Sequence, residues 1–479
     1  MIDYKKHLLR KLMLKNIKIL KEKLNKNLWT ENNEILDSHL YDQRGNIKGK
    51  TSLLLLPQNT ADVVEIVKVC DQYKIPIVPQ GGRTGLCGGT IPNKNGKEIL
   101  LSTEKMNNIL EISKDNFYMI AQSGCSLCDI KNKALENNRF FPLTLPSETA
   151  CTIGGNISTN AGGSAVLKYG MTKEVVEGLE VVLPNGEILN SIKNIEKDNR
   201  GFDPKYLHIG SEGTLGIITK VKLRLFPEIK KKAMAIVALD SIEDIINFLN
   251  ITKNQCYEYL SAFEINSRIG LNLIKKYYNN IPIPFNNKYN WYIIFELSSY
   301  DNLDLDLKIK NIISKGLNNK IVSDAVVPQN LNQYNNIWKT RELLSEAQKI
   351  KGKSIKHDIS IPINKIPIFL NKANKFLSAF HEDNILAFGH LADGNLHYNI
   401  SKPEEMSDTL FNKLHKQINS NIFDLVNDLG GSFSAEHGIG LIKKKEFKKY
   451  TSKEELIIKN NFKKLLDPNN IMNPGKVYN

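Results

Sequence analysis

Three stretches decide how this chain is read: residues 79–89, PQGGRTGLCGG; residues 146–163, PSETACTIGGNISTNAGG; and residues 210–216, GSEGTLG. Glycine tolerates positive φ and lets backbone N–H groups approach a ligand closely, so successive amides can form an anion-binding nest. The Ser, Thr and Asn residues among these glycines add neutral donors. Such a surface suits a pyrophosphate where no lysine is supplied. One such loop would be a tight turn at a sheet edge, but three between residues 79 and 216 predict a nucleotide-type cofactor. Neither G-x-G-x-x-G nor G-x-x-x-x-G-K-[ST] occurs, which removes the main signals of a dinucleotide-binding βαβ unit and of a P-loop.

Working outward, Leu53–Leu56 reads as a short buried strand and residues 60–73 carry apolar groups at helical spacing. Ile75–Pro79 is a second strand, which gives this part a βαβ character. Residues 98–226 alternate short strands with Gly, Asn and Pro turns. Beyond about residue 230, longer segments take over, with a helix at Ile242–Asn250 and a strand at Trp291–Leu297. Helices return late in the chain, up to Asp467-Pro468, before a turn-rich tail at Asn470–Gly475. The expected class is α+β in three parts: residues 1–228, residues 229–425, and residues 426–479 returning to the first part.

A length of 479 residues exceeds what one hydrophobic core serves. Lys and Arg exceed Asp and Glu by 65 − 51 = 14, a balance that raises nucleic-acid binding as a different class of function. The excess is spread through Lys/Asn/Ile-rich sequence, and no helix-turn-helix, zinc-finger or RNA-recognition signature accompanies it. It reads as compositional background, plus a field that draws in an anionic substrate. The six cysteines form no regular framework, which fits a reducing compartment. Cys125 and Cys128 form a lone C-x-x-C, read as two buried structural thiols. No run of 18 apolar residues exists, so no transmembrane segment is expected. Met1–Leu28 reads as a basic amphipathic helix and not a secretion signal. The expected location is the cytoplasm, with the mitochondrial matrix as the alternative.

The glycine stretches, with I-G-S-E-G-T-L-G-I-I-T at 209–219, resemble the FAD-binding domain of the vanillyl-alcohol oxidase superfamily. F-G-H-L-A-D-G-N-L-H (388–397), A-E-H-G-I-G (435–440) and D-P-N-N-I-M-N-P-G-K (467–476) resemble its FAD-linked oxidase C-terminal module. The similarity runs from about Tyr41 to the C-terminus and points to the branch of D-2-hydroxy-acid dehydrogenases. It implies a two-part FAD-binding domain with an α+β cap domain built on an antiparallel sheet, and the flavin between them. The implied cofactor contacts are Pro79, Gln80, Gly81, Gly82, Arg83, Thr84, Gly85 and Leu86; Pro146, Ser147, Thr152, Gly155, Asn156, Thr159, Asn160 and Gly162; and Glu212, Gly213, Ile217 and Asn473. Relatives that attach flavin covalently often have histidine after the first glycine pair. Arg83 stands there, which implies non-covalent FAD.

Asp393-Gly394 between apolar runs is a hairpin-turn signal that would let the side chains of His390 and His397 converge. Ser434–Gly440 adds Glu436 beside His437. Two histidines and a glutamate suit a divalent ion such as Zn²⁺, and His437 could act as general base. From the residues alone, hydrogen-bonded loop histidines are an equal reading. The resemblance implies His390, His397 and Glu436 as metal ligands and His437 as proton acceptor and substrate contact.

Trp338–Glu342 opens a helical stretch reaching Ala347. In the family an arginine in this W-x-x-R-E context binds the substrate carboxylate, and Arg341 matches it, with Ser345 one turn on as an assisting hydroxyl. Ser354–Pro362 resembles the K-x-D-L-S-L-P segment of D-2-hydroxyglutarate dehydrogenases, where the lysine contacts the distal carboxylate; Lys356 matches it. Asn395 is a further implied substrate contact. These residues favour D-2-hydroxyglutarate over D-lactate or glycolate. The expected partners are a small 2-hydroxy acid and an electron acceptor of electron-transfer flavoprotein or quinone type, with a homodimer left open.

Overall fold

The computed structural model describes residues 14–195, 197–378 and 380–478. The expected amphipathic helix over Met1–Leu28 falls partly outside them. Within them, residues 14–23 are helical and Lys26–Leu28 is a separate 3-10 turn, so the helix stops short of Leu28. Asn25 ends it by capping that turn, its side chain accepting the Asn27 N–H.

The chain divides into two units. The first comprises residues 1–162, 170–227 and 436–479; the second comprises residues 163–169 and 228–435. Both mix helices with sheets, an α+β architecture.

In the first unit, β1 (Trp29–Thr30), β2 (Leu54–Leu55), β3 (Ile77–Gln80) and β4 (Ile99–Ser102) form a sheet in the order β1-β2-β4-β3. The pairs β2/β4 and β3/β4 are parallel. Helix α1 (Thr60–Tyr73) makes the crossover. Asn59 caps it by accepting the Asp62 N–H at 3.1 Å, and Val63, Ile66, Val67 and Cys70 form its buried stripe. A second sheet, all antiparallel, contains β5 (Ile109–Ser113), β6 (Tyr118–Gln122), β7 (Val176–Val182), β8 (Ile188–Asn190) and β9 (Ile217–Arg224), in the order β5-β6-β9-β7-β8. The tail returns to this unit. Met472 bridges Ile77, and the buried Lys463 ammonium donates to the carbonyls of Thr214 (2.9 Å) and Met472 (2.7 Å) and pairs with Asp467. A buried ammonium is tolerated only when its donors are used in this way.

The second unit is built on one seven-stranded antiparallel sheet. Its strands are β10 (Lys231–Leu239), β11 (Leu260–Ser267), β12 (Trp291–Ser299), β13 (Asp324–Val326), β14 (Ser354–Ser360), β15 (Ile385–His390) and β16 (Asn395–Ser401). The order is β13-β10-β12-β11-β15-β16-β14. Ile236, Ile294, Glu264 and His390 stand opposite one another across four strands, so their side chains share a face. Helices α2 (Leu331–Glu342) and α3 (Leu344–Lys351) contribute Ile337, Leu344 and Ala347 to the cores that include Ile236, Ile294 and Phe388.

Trp338–Glu342 closes a helix instead of opening one. Asn330 caps α2 eight residues before Trp338 by accepting the Gln333 N–H, and the chain breaks at Leu343 before α3 begins. Cys125 is buried, but Cys128 is only half-buried, at the exposed edge of its helix, where Asn132 donates to its sulfur.

Candidate active site

The glycine loops of the first unit line a cleft. Contributions come from Pro79, Gln80, Gly81 and Gly85 in the first loop, Gly154, Gly155, Ser158 and Thr159 in the second, Glu212, Gly213 and Gly216 in the third, and His437. A Cβ on Gly81 would lie 2.3 Å from Thr152 Oγ1, and one on Gly82 would lie 1.9 Å from the Ala150 carbonyl. The first and second loops therefore meet backbone to backbone, which only glycine permits. Gly85 lines the cleft, and a Cβ there would meet no protein atom within 4 Å. Ser123 also lines the cleft, and its buried Oγ has no hydrogen-bond partner among the described residues. These features fit a flavin nucleotide: an open cradle, closely approachable amides and an unused neutral donor.

Several residues expected at the cofactor brace the loops that form the cleft. The Gln80 amide donates to the carbonyls of His39 (3.0 Å) and Thr90 (3.1 Å). Asn473 donates to the carbonyls of Gly89 (2.9 Å) and Glu212 (2.8 Å), tying the tail to two glycine loops. Glu212 is buried and accepts the amide protons of Ile439 (2.7 Å) and Gly440 (2.9 Å). Burial pushes its carboxyl above the usual range, although those amides and Lys443 pull the other way. Thr152 caps the short helix Ile153–Ser158 by accepting the Gly155 N–H, and Asn156 is buried against the Cys151 sulfur. Asn160 accepts the Lys173 N–H, and Arg83, at φ 61°, reaches the Ser38 carbonyl at 3.4 Å. Among the described residues, Ile217 joins the lining, whereas Gly82, Thr84, Leu86, Pro146, Ser147 and Gly162 do not. Thr103 and Ser123 line the cleft but stand outside every glycine motif, so the sequence carried no signal for them.

In the second unit, the Asp393-Gly394 turn forms, with Leu391–Asp393 as a 3-10 turn and Gly394 at φ 82°. Phe388 stands opposite His397, and the His390 and His397 rings lie 6.2 Å apart. Asp358 stands opposite His397 on the other side, with Asp358 Oδ1 4.0 Å from His397 Nδ1. Lys356 lies two positions along the same strand, so it shares that face. Asn395 donates to Asp358 Oδ1 and the Ile359 carbonyl, both at 3.0 Å, while its buried Oδ1 has no hydrogen-bond partner among the described residues. Arg341 lies in the last turn of α2, and Ser345, on α3, is exposed. Ala435 donates its N–H to the Asp358 carbonyl, and Glu436 is the junction residue one peptide bond further on. His390 and His397 bring two imidazoles to one face of the sheet, and imidazole nitrogens suit a divalent ion such as zinc.

The sequence did not point to Glu264. Its side chain is 1 % exposed, with Oε1 2.5 Å from His390 Nδ1 and Oε2 accepting Arg341 Nε–H at 2.8 Å. Burial alone would raise its carboxyl, but His390 and Arg341 outweigh burial and hold it below the usual range. The Arg341 guanidinium also lies over the Phe388 ring, at 4.9 Å.

Residues 229–477 match the family of FAD linked oxidases, C-terminal domain, and residues 51–191 match the FAD binding domain family. The chain belongs to the FAD-linked oxidases and is an FAD-dependent oxidoreductase. It is 35% identical to the mitochondrial D-2-hydroxyglutarate dehydrogenase of Arabidopsis thaliana over 97% of this chain and 81% of that one. It is 33% identical to the D-2-hydroxyglutarate dehydrogenase of Xanthomonas citri pv. viticola, over 89% of each chain. The fold is shared with p-cresol methylhydroxylase, with a TM-score of 0.75 at 16% identity over 97% of this chain and 96% of that one. Among the described residues, no helix is long and apolar enough to cross a membrane.

Proposed function

We propose that the protein oxidises D-2-hydroxyglutarate to 2-oxoglutarate. Bound FAD supplies the two-electron acceptor for the hydrogen on the carbinol carbon. Arg341 holds the C1 carboxylate through the planar fork of its guanidinium. Lys356 receives the distal carboxylate, assisted by Ser345, and Asn395 borders the same strand face. His437 takes the hydroxyl proton, since an imidazole titrates near neutrality. His390, His397 and Glu436 would hold a divalent ion, zinc being well suited to this donor set, and such an ion supplies Lewis acidity.

The observation that carries this reading is that Arg341 and His390 are gripped by one buried carboxylate on the sheet face that also displays His397 and Lys356. A monocarboxylate such as D-lactate has no distal carboxylate for Lys356 to receive. The test is a panel of D- and L-2-hydroxy acids with an artificial electron acceptor. D-2-hydroxyglutarate should give the highest kcat/KM, and a preference for D-lactate or for L-acids would overturn the assignment. The purified protein should be yellow and release its flavin on acid precipitation, because Arg83 occupies the position of covalent attachment. The natural acceptor is of electron-transfer flavoprotein or quinone type, and a homodimer is the assembly to look for by sedimentation. The mitochondrial name of the Arabidopsis relative favours the matrix over the cytoplasm, which cell fractionation decides.

A further inference from the structure

Glu264 stands on β11 in a row whose neighbours on one side are Ile294 and Ile236, facing the helices that cover this part of the sheet. Nothing in local sequence demands a carboxylate there. An unpaired charge so placed would be strongly destabilising, and a leucine would pack better. Both oxygens are used, one toward His390 and one toward Arg341. Glu264 Oε1 lies 2.5 Å from His390 Nδ1, so Nδ1 is the ring nitrogen turned toward β11 and Nε2 is left on the side of the ring away from Glu264. Arg341 meets Glu264 through Nε. Its two terminal nitrogens make no hydrogen bond among the described residues, and they form the edge that matches a carboxylate.

We propose that Glu264 is a positioning residue. It sets the tautomer and ring orientation of His390 and the heading of the Arg341 fork together, so that one buried carboxylate couples the metal-ligand imidazole to the substrate anchor. This rests on the metal and carboxylate roles given above. Removing a carboxylate that holds a metal-ligating histidine typically changes metal affinity by about 10- to 100-fold.

The test compares wild-type with Glu264→Gln and Glu264→Asp. The glutamine keeps the volume, but its Nε2 is a donor facing a donor, so one of the two bonds must fail. Divalent-metal affinity, read by chelator competition with Zn²⁺, should fall about 10- to 100-fold in Glu264→Gln. KM for the hydroxy acid should rise, flavin content should stay the same, and Glu264→Asp should restore part of both losses. A wild-type protein that binds Zn²⁺ and whose affinity and KM survive Glu264→Gln overturns the positioning role alone. A wild-type protein that binds no divalent ion overturns the metal reading itself. Should both variants fail to fold, ¹⁵N-histidine spectra of the wild-type holoprotein still decide. His390 protonated on Nδ1 supports the proposal, and a bare Nδ1 overturns it.

Discussion

The carboxylate of Glu212 accepts the amide proton of Ile439 at 2.7 Å, across 227 positions of chain. The same carboxylate takes the Gly440 amide, so a single side chain pins the segment that carries His437 against the third glycine loop. Glu212→Ala would strand two N–H groups, each worth roughly 1–3 kcal/mol when left unpaired. The variant should unfold at lower temperature and lose flavin on gel filtration. Full flavin retention with an unchanged melting temperature would show that the clamp is dispensable.

Replacing His390, His397 or Glu436 with Ala should lower bound divalent metal and largely abolish turnover while the flavin spectrum persists. His437→Ala should keep both metal and flavin and lose kcat, because only proton removal is missing. Metal analysis alongside steady-state kinetics separates these outcomes. Full activity in metal-free wild-type protein would defeat the first expectation.

Lys356→Ala should penalise D-2-hydroxyglutarate far more than D-lactate. The loss of one charge-assisted hydrogen bond costs roughly 1.5–3 kcal/mol, about a 10- to 150-fold fall in kcat/KM. Arg341→Ala should harm both acids, since each has the C1 carboxylate. Equal losses on the two acids in Lys356→Ala would return the assignment to a monocarboxylate.

Burial pushes the His208 imidazole down to about 4, and its Nδ1 has no hydrogen-bond partner among the described residues. In the unfolded chain this group titrates near 6.5. Between these values the unfolded state binds the additional proton, so the contribution of His208 is complete above pH 6.5 and declines as pH falls toward 4. The loss amounts to at most about 3 kcal/mol. Denaturant midpoints of wild-type and His208→Gln across that range should show a shallower acid decline in the variant. Parallel curves would mean that other groups govern acid stability.

The local features of the fold are legible because their causes are local. Asn59 and the apolar stripe dictate the helix Thr60–Tyr73, and Asp393-Gly394 dictates the turn between His390 and His397. The glycine clusters announce a ligand because their spacing alone allows loops to meet backbone to backbone. The break at Leu343 escaped, since helical spacing continues through it and its own dihedral angles, φ −82° and ψ −1°, stay in the right-handed helical region.

By itself, the sequence determined which short segments turn, cap and cradle, and which residue types stand ready for acid–base and metal chemistry. Only the tertiary structure decided what those residues touch. Gln80 and Asn473 read as cofactor contacts, and the structure adds that their amides hold loops together. Glu264 lies in no motif, and its role depends on β11 lying beside β15 with α2 above it. A carboxylate far in sequence from both partners gives no periodic or spacing signal. Its energy depends on burial and on opposite charges arriving at the same place, and strand order sets both.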